Sequence, residues 1–386
     1  MILKIIYLSL LFFFIGKLYS IKFNPLENII LGMFLSYFII IILILNATRY
    51  EYIFYFLNFL SIILIIFLTF KNFKNINFNQ TFYKEILRSS LLFFPVFLIF
   101  GLIFFENILN IIEIPLEAGD ALAVWFYKAK FFIYNTGIEN IPQANYPNFI
   151  SSLWSISLFI NLDNFNNSRI ILPIILFTNL ILVYYKILKS FKNYFTNTLF
   201  LILTLIFYSL NEFGSNFRYS NSGYADFAVS VFLMTGFTYI FLSFLNNSFS
   251  KKDYFFGCLC LGILPSIKNE GLIISAAIFF ILNFIFLMNH NEVYKKNMRS
   301  ILYNTLIYFI ILISPIIIFK YLNSIIIDEP SAIENYFSIS NILNFQLIIE
   351  RVPLITKYFI RSLAENILII LVLLPLFIYN LIVSKK

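Results

Sequence analysis

An all-α polytopic membrane protein, crossing the bilayer about eleven times as one integral domain, is the fold class this sequence predicts. Three observations predict it. Apolar residues make up 61% of the 386 positions and charged residues only 12%, about half the charge a soluble domain carries. A water-facing surface cannot be covered with so few charges, whereas a bilayer needs no such cover. The apolar residues also fall into runs of spanning length, and the basic residues fall into alternate connections between those runs.

A spanning helix needs about 20 mostly apolar residues at a rise of 1.5 Å each. In chain order the candidate spans are 1–17, 28–47, 52–70, 89–105, 169–187, 196–211, 224–245, 254–267, 271–288, 301–321 and 360–381. The first lacks the basic start and small-residue cleavage site of a signal peptide and is read as a helix. Segment 254–267 reaches only about 21 Å if helical, so with 271–288 it forms either two crossings or a pair that dips and returns. Residues 148–162 are apolar but short, and are read as a helix lying in the membrane interface. The long connection 106–168 then becomes one external loop, and 322–359 a second. Residues 1–88 hold extra N-terminal helices, 89–322 a core, and 323–386 an external loop and the last helix. Neither a linker nor a soluble C-terminal domain is evident.

Orientation follows from charge. If 71–88 is cytoplasmic, alternation puts 17–27, 186–195, 246–253, 289–300 and the C-terminal Lys385-Lys386 on the same side. That side holds 16 of the 27 Lys and Arg residues and 4 of the 19 acids, as the bias of short cytoplasmic loops toward basic residues requires. Single residue types exclude other chemistries. The one histidine, His290, excludes a His-rich metal cage, and its polar stretch beside Lys295, Lys296 and Arg299 argues against a His-based triad. Cys258 and Cys260 sit two apart in an apolar run and point to different helix faces, so they read as small lipid- or helix-facing residues. The net charge of +8 is spread over loops of one side and does not indicate nucleic acid.

Charged groups near span ends are costly, about 2.5–3.5 kcal/mol at mid-bilayer, and mark cavities or function. Four places qualify, all on the outer side of this topology. In the first, Glu117-Ala-Gly119-Asp120 runs into an amphipathic segment with Leu122, Trp125, Phe126 and Ala129 at helical spacing. Lys128 and Lys130 lie about 80° to either side of the line of Asp120 and about 12–15 Å along the axis. Asp120 is either a helix N-cap or a group sharing a polar groove with those lysines. The second is Arg218 through Gly223-Tyr224-Ala-Asp226, where Asp226 falls in the first turn of a span and the helix dipole favours an anion. The third is the turn Lys268-Asn269-Glu270-Gly271. The fourth, Arg351, Lys357 and Arg361, is explained as well by snorkelling to the interface as by binding. Tyr146-Pro147 is a weaker mark, since Pro opens a helix at its first position without any function.

Gly119-Asp120-Ala-Leu-Ala-Val-Trp-Phe-Tyr-Lys128-Ala-Lys130, then Tyr146-Pro147, then Gly223-Tyr224-Ala-Asp226, then Lys268-Asn-Glu270-Gly271 resembles, in that order, the GT-C superfamily. More narrowly it resembles bacterial membrane proteins akin to protein O-mannosyltransferases and the aminoarabinose transferases of lipid A, over about residues 89–290. The resemblance implies a multi-pass glycosyltransferase of the cytoplasmic (inner) membrane, with a polyprenyl-phosphate sugar as donor and its active site facing outside. Asp120 matches the acidic residue of the first external loop that acts as base or positions the acceptor. Asp226 matches a second acidic position, and Lys268 a lysine in a turn between helices. The Asp-Glu pair of the mannosyltransferases is absent, with Glu117 three residues upstream instead. The acceptor is a glycan, lipid or protein. No cofactor is called for, and no ligand set for a divalent metal is indicated.

The residue chemistry fits that implication. A sugar hydroxyl attacking an anomeric carbon must lose its proton, and an ionised Asp120 can take it. Charge builds on the departing phosphate, and fixed cations there stabilise it; Lys128, Lys130, Arg218 and Lys268 are the available donors. Other readings are a transporter or flippase for a lipid-linked sugar, a glycan ligase or polymerase, and an accessory membrane protein without chemistry. Transporters commonly carry internal repeats, which this sequence lacks. A cysteine replacing Asn145 is expected to react with an impermeant thiol reagent in whole cells; labelling only after lysis reverses the orientation.

Overall fold

A computed structural model describes residues 2–18, 23–46, 48–73, 101, 104–105, 107–109, 111–112, 121–134, 147–160, 165–190, 225–244, 249–289 and 291–325. All regular structure among them is helical, with no strand. In chain order the helices are α1 (Ile2–Lys17), α2 (Pro25–Leu45), α3 (Tyr50–Phe73), a π-helical turn (Ala121–Phe126) leading into α4 (Tyr127–Tyr134), and α5 (Phe149–Ile160). A 3-10 turn (Asn166–Ile170) leads into α6 (Ile171–Ser190), followed by α7 (Ala225–Ser243), α8 (Lys251–Gly262), α9 (Leu264–Ile267), α10 (Gly271–Asn289) and α11 (Asn291–Ile325). The chain forms two compact units, Met1–Lys186 with Ser215–Ile326, and Ile187–Gly214 with Ile327–Lys386. Of the second unit, the described part is residues 187–190, the end of α6.

Among the described residues, five stretches are long and apolar enough to cross a membrane: Pro25–Leu45, Tyr50–Phe67, Asn166–Ile187, Gly271–Asn289 and Glu292–Pro315. They match expected spans 28–47, 52–70, 169–187, 271–288 and 301–321. Spans 196–211 and 360–381 lie outside the described residues, as does nearly all of 89–105.

α1 and α2 form an antiparallel hairpin whose backbones touch. A Cβ on Gly16 would sit 1.9 Å from the Asn28 carbonyl oxygen, and one on Gly32 1.8 Å from that of Phe12. α2 starts in a capping box. The Asn24 side chain accepts from the Glu27 amide at 2.7 Å and the Glu27 carboxylate accepts from the Asn24 amide at 2.8 Å, with Pro25 at the first helical position. Both features satisfy amides that a helix start leaves without partners.

The same Glu27 then ties the hairpin to the rest of the unit. Its side chain is 0% exposed, and Lys252 reaches one oxygen at 2.7 Å. The other oxygen accepts from the Tyr239 hydroxyl at 2.9 Å and lies 3.5 Å from the Lys186 amine. Lys186 also pairs with Asp253 and sits 4.6 Å over the Tyr239 ring. The cluster joins the start of α2, the C-terminal part of α6, the late turns of α7 and the start of α8. Three loops that alternation puts on one side, 17–27, 186–195 and 246–253, are the ones it brings together.

α8 and α9 run away from the cluster and α10 returns. Tyr254 donates to Asn283 at 2.7 Å, and Ser275 to the Leu261 carbonyl at 2.7 Å, so the two arms are antiparallel. The turn between them closes tightly because a Cβ on Gly271 would lie 2.4 Å from the Leu264 carbonyl oxygen. Cys258 and Cys260 are both free thiols and both buried. They occupy different faces, and both are covered because α8 is enclosed: Gly236 and Gly257 bring it against α7, and Gly262 brings it against α11.

Two segments differ from their sequence-based assignment. Residues 149–158 are buried on every side, so α5 is an internal helix and not one lying in the interface. It carries no charge, and three of its four buried serines find protein acceptors, Ser152 on the Asn148 carbonyl, Ser155 on that of Ser152 and Ser157 on that of Ser168. The 289–300 connection, expected as a loop, is instead the first turns of α11 from Asn291 onward. Nothing there breaks a helix, and Glu292 and Lys296 are spaced i,i+4, which supports one.

Glu27→Ala removes the buried anion that Lys252 and Lys186 share, while Lys186 keeps Asp253 and Lys252 stays partly exposed. It is expected to cost about 1–3 kcal/mol, chiefly for the hydrogen-bonding groups left without their acceptor, read as a fall in the unfolding midpoint of the purified protein in lipid. An unchanged midpoint would show that the cluster does not hold the unit together.

Candidate functional site

The Glu27 cluster defines one end of the bundle, and the far ends of the same helices define the other. Lys186 closes the α6 end of the cluster, so Arg169, just ahead of α6, lies at the opposite end. Tyr239 is thirteen positions beyond Asp226 in α7, about 20 Å along the helix. Lys252 and Lys268 stand at opposite ends of the α8–α9 arm, about 24 Å apart if helical throughout. Arg169, the backbone of Asp226 and the Lys268–Gly271 turn therefore share the end away from Glu27.

α5 enters the bundle from that end. Its last turn meets the start of α3, with Phe159 against Phe54 at 4.8 Å and Tyr50 bonded to Ser155 at 2.7 Å. Its first residue, Phe149, instead meets Phe34, Tyr37 and Phe232 at 5.9, 5.4 and 5.6 Å. Phe34 and Phe232 are each seven residues from a member of the Glu27 cluster along their helices, about 10 Å. The N-terminus of α5, with Pro147 and Asn148, thus lies inside the protein. Among the described residues, buried polar atoms without a hydrogen-bond partner occur at this helix start, Asn148 Oδ1 and Ser151 Oγ, on α2 where it packs against α5, Ser36 Oγ, and beside Glu27, Asn28 Oδ1. Buried polar groups of this kind mark places completed by solvent or a bound group.

α4 and its π-turn pack beside α5 and the start of α6. Phe126 lies 5.6 Å from Trp154 and 5.8 Å from Phe165, and the Trp154 indole donates to Ser168 Oγ at 2.7 Å. Trp125, Phe126 and Ala129 are buried as the helical spacing predicts, while Leu122 is 38% exposed. Lys128 is 0% exposed, and burial pushes its amine down to about 7 from the ordinary lysine value. It occupies the buried stripe because 125, 128, 129 and 132 are spaced i, i+3, i+4, i+7. Lys130, on the next face, is partly exposed and stands 4.8 Å over the Phe165 ring.

The structure thus brings Lys128 and Lys130 into one neighbourhood with Trp154, Phe165 and Ser168. Asp226 falls in the first turn of α7, as expected. Lys268 is half-buried with an extended backbone at the end of α9, and Glu270 is exposed in the turn. Glu117, Asp120, Tyr146, Arg218 and Tyr224 lie outside the described residues, as does His290.

Sequence reasoning missed Arg169 as a site residue. It is 2% exposed, and its guanidinium donates to the Ile111 carbonyl at 3.0 Å and the Asn166 carbonyl at 3.3 Å, pinning the backbone at Ile111 to the start of α6. The signal was a lone arginine ahead of an apolar run, which snorkelling explains equally well. Asn148, directly after Tyr146-Pro147, was also missed, because an uncharged residue at a helix start gives no signal of burial. In comparisons with protein-family models, with curated proteins and with solved structures, the chain finds no match.

Proposed function

We propose that the chain is a membrane glycosyltransferase that moves a sugar from a polyprenyl-phosphate donor to a cell-envelope acceptor at the extracytoplasmic face. One observation carries the reading. The segments bearing the motif residues, α4 with Lys128 and Lys130, the start of α7 with Asp226, and the Lys268 turn, emerge at the end of the bundle away from Glu27. In this reading Asp120, immediately ahead of the π-turn, takes the proton of the attacking hydroxyl. Asp226 and Glu117 are the further catalytic carboxylates, Lys128, Lys130, Arg218 and Lys268 bind the donor and stabilise the departing phosphate, and Tyr146, Tyr224 and Glu270 line the substrates. A buried amine such as Lys128 is favoured as a cation by an anion beside it, which suits a phosphate-bearing donor. The donor's prenyl chain lies in lipid against the apolar outer faces of the helices.

The chemistry is a single displacement. The acceptor oxygen forms its bond to the anomeric carbon as the carbon–phosphate oxygen bond breaks, the proton passes to Asp120, and the polyprenyl phosphate leaves with the bonding pair. Anomeric analysis of the product is expected to show inversion, and retention would overturn the single step.

The deciding experiment uses the purified protein in lipid with a panel of polyprenyl-phosphate sugars. Asp120→Asn is expected to lower turnover by at least about 100-fold, and undiminished turnover removes Asp120 from the base role. A transporter or flippase for a lipid-linked sugar is the second reading, favoured by α5, whose N-terminus ends inside the bundle as half-helices of transporters do. Movement of the lipid-linked sugar across the vesicle membrane, with no transfer, is the outcome that would replace the first reading with this one.

A further inference from the structure

α11 is 35 residues long, about 52 Å, well beyond the roughly 30 Å hydrocarbon thickness of a bilayer. Its first turns therefore project past the apolar layer at the end where the Glu27 cluster sits. Lys295, Lys296 and Arg299 are all exposed there. At 100° per residue these three fall within about 100° of arc. Further along the axis the same arc carries Leu302, Tyr303, Leu306 and Ile310, exposed by 57%, 63%, 60% and 61%. One continuous outer face thus changes from basic to apolar over about 16 Å, from Lys295 to Leu306.

A second basic group is held beside it. Phe244 stacks 10° from parallel on Tyr294 at 6.2 Å and meets Tyr254 edge-on at 5.8 Å. The cluster joins the start of α11 to the start of α8, where Lys251 is exposed. Among the described residues no carboxylate forms an ion pair with Lys251, Lys295, Lys296 or Arg299, although Glu292 is exposed on the same arc. A soluble acidic protein or a nucleic acid would match the cations but not the apolar continuation, and a neutral lipid would match only the latter.

We propose that this face of α11, with Lys251 beside it, is a binding surface for an anionic phospholipid, its headgroup on the basic turn and its acyl chain along Leu302 to Ile310. Cations near a membrane surface attract anionic lipid by about fivefold each at moderate salt, and the surface lies away from the proposed catalytic end.

The test is lipid retention by the full-length protein in bilayer discs of phosphatidylglycerol and phosphatidylcholine, read by mass spectrometry of the bound lipid. The wild type is expected to enrich phosphatidylglycerol. The variant Lys295→Gln with Lys296→Gln and Arg299→Gln is expected to lose that enrichment by about fivefold per charge removed. Glu292→Gln, which removes the acid from the arc, is expected to raise it, and this single change decides the matter if the triple variant does not fold. Equal retention of the two lipids by the wild type overturns the proposal, as does full enrichment in the triple variant. Displacement of the lipid by inorganic phosphate assigns the surface to a free anion and overturns the lipid assignment.

Discussion

A carboxylate with no access to water must find all its partners inside the protein, and Glu27 finds them on three other helices. Its two oxygens accept from the Asn24 amide and the Tyr239 hydroxyl and pair with Lys252 and Lys186. Stripping two ions of water costs several kcal/mol each, and the attraction repays it only when geometry and hydrogen bonds are complete. A shift of α7 or α8 by one residue would move Tyr239 or Lys252 by 1.5 Å and 100° and leave the carboxylate short of a partner. The ion cluster therefore sets the register of helices whose apolar faces would otherwise slide on one another. Aromatic packing alone, here Phe34, Phe149 and Phe232, tolerates such slips better because it is less directional.

Fixing one end of α6, α7 and the α8–α9 arm fixes where their other ends emerge, which is how an internal ion cluster bears on the proposed site about 20 Å away. It also accounts for the N-terminal hairpin. Residues 1–88 read from the sequence as extra helices ahead of a core, yet Glu27 supplies the anion that makes Lys186 and Lys252 of that core tolerable in the bundle. The hairpin is bound to the core by charge and by backbone contact at Gly16 and Gly32 within itself, not by apolar surface alone.

Much of the fold was legible because long apolar runs report spanning helices whatever their tertiary setting. α2, α3, α6, α7 and α10 begin and end within a few residues of the expected spans. α5 was not legible in the same way. Twelve uncharged residues with four serines suit a membrane interface or a protein interior equally, and only the neighbours Phe34, Tyr37 and Phe232 decide between them. Lys128 was half legible: the stripe 125, 128, 129, 132 is visible in the sequence, but a lysine at one of its positions reads as the polar edge of an amphipathic helix. The capping box was also on view as Asn24-Pro25-Leu26-Glu27, four residues that announce a helix start. The second role of Glu27 was hidden, since Lys186 and Lys252 are more than 150 residues away.

The two ends of the bundle use charge differently, and the difference bears on where chemistry belongs. At the Glu27 end Lys186 and Lys252 meet Glu27 and Asp253, and these charges close on one another within the protein. Toward the other end Asn148 Oδ1 and Ser151 Oγ are, among the described residues, buried without hydrogen-bond partners, at a helix start that lies inside the protein, and leaving them so costs about 1–3 kcal/mol each. Asn28 Oδ1, beside Glu27, is open as well, so the contrast lies in the ions: charges close on one another at one end, while two neighbouring buried atoms stay open at the start of α5, where a bound polar group would recover that cost.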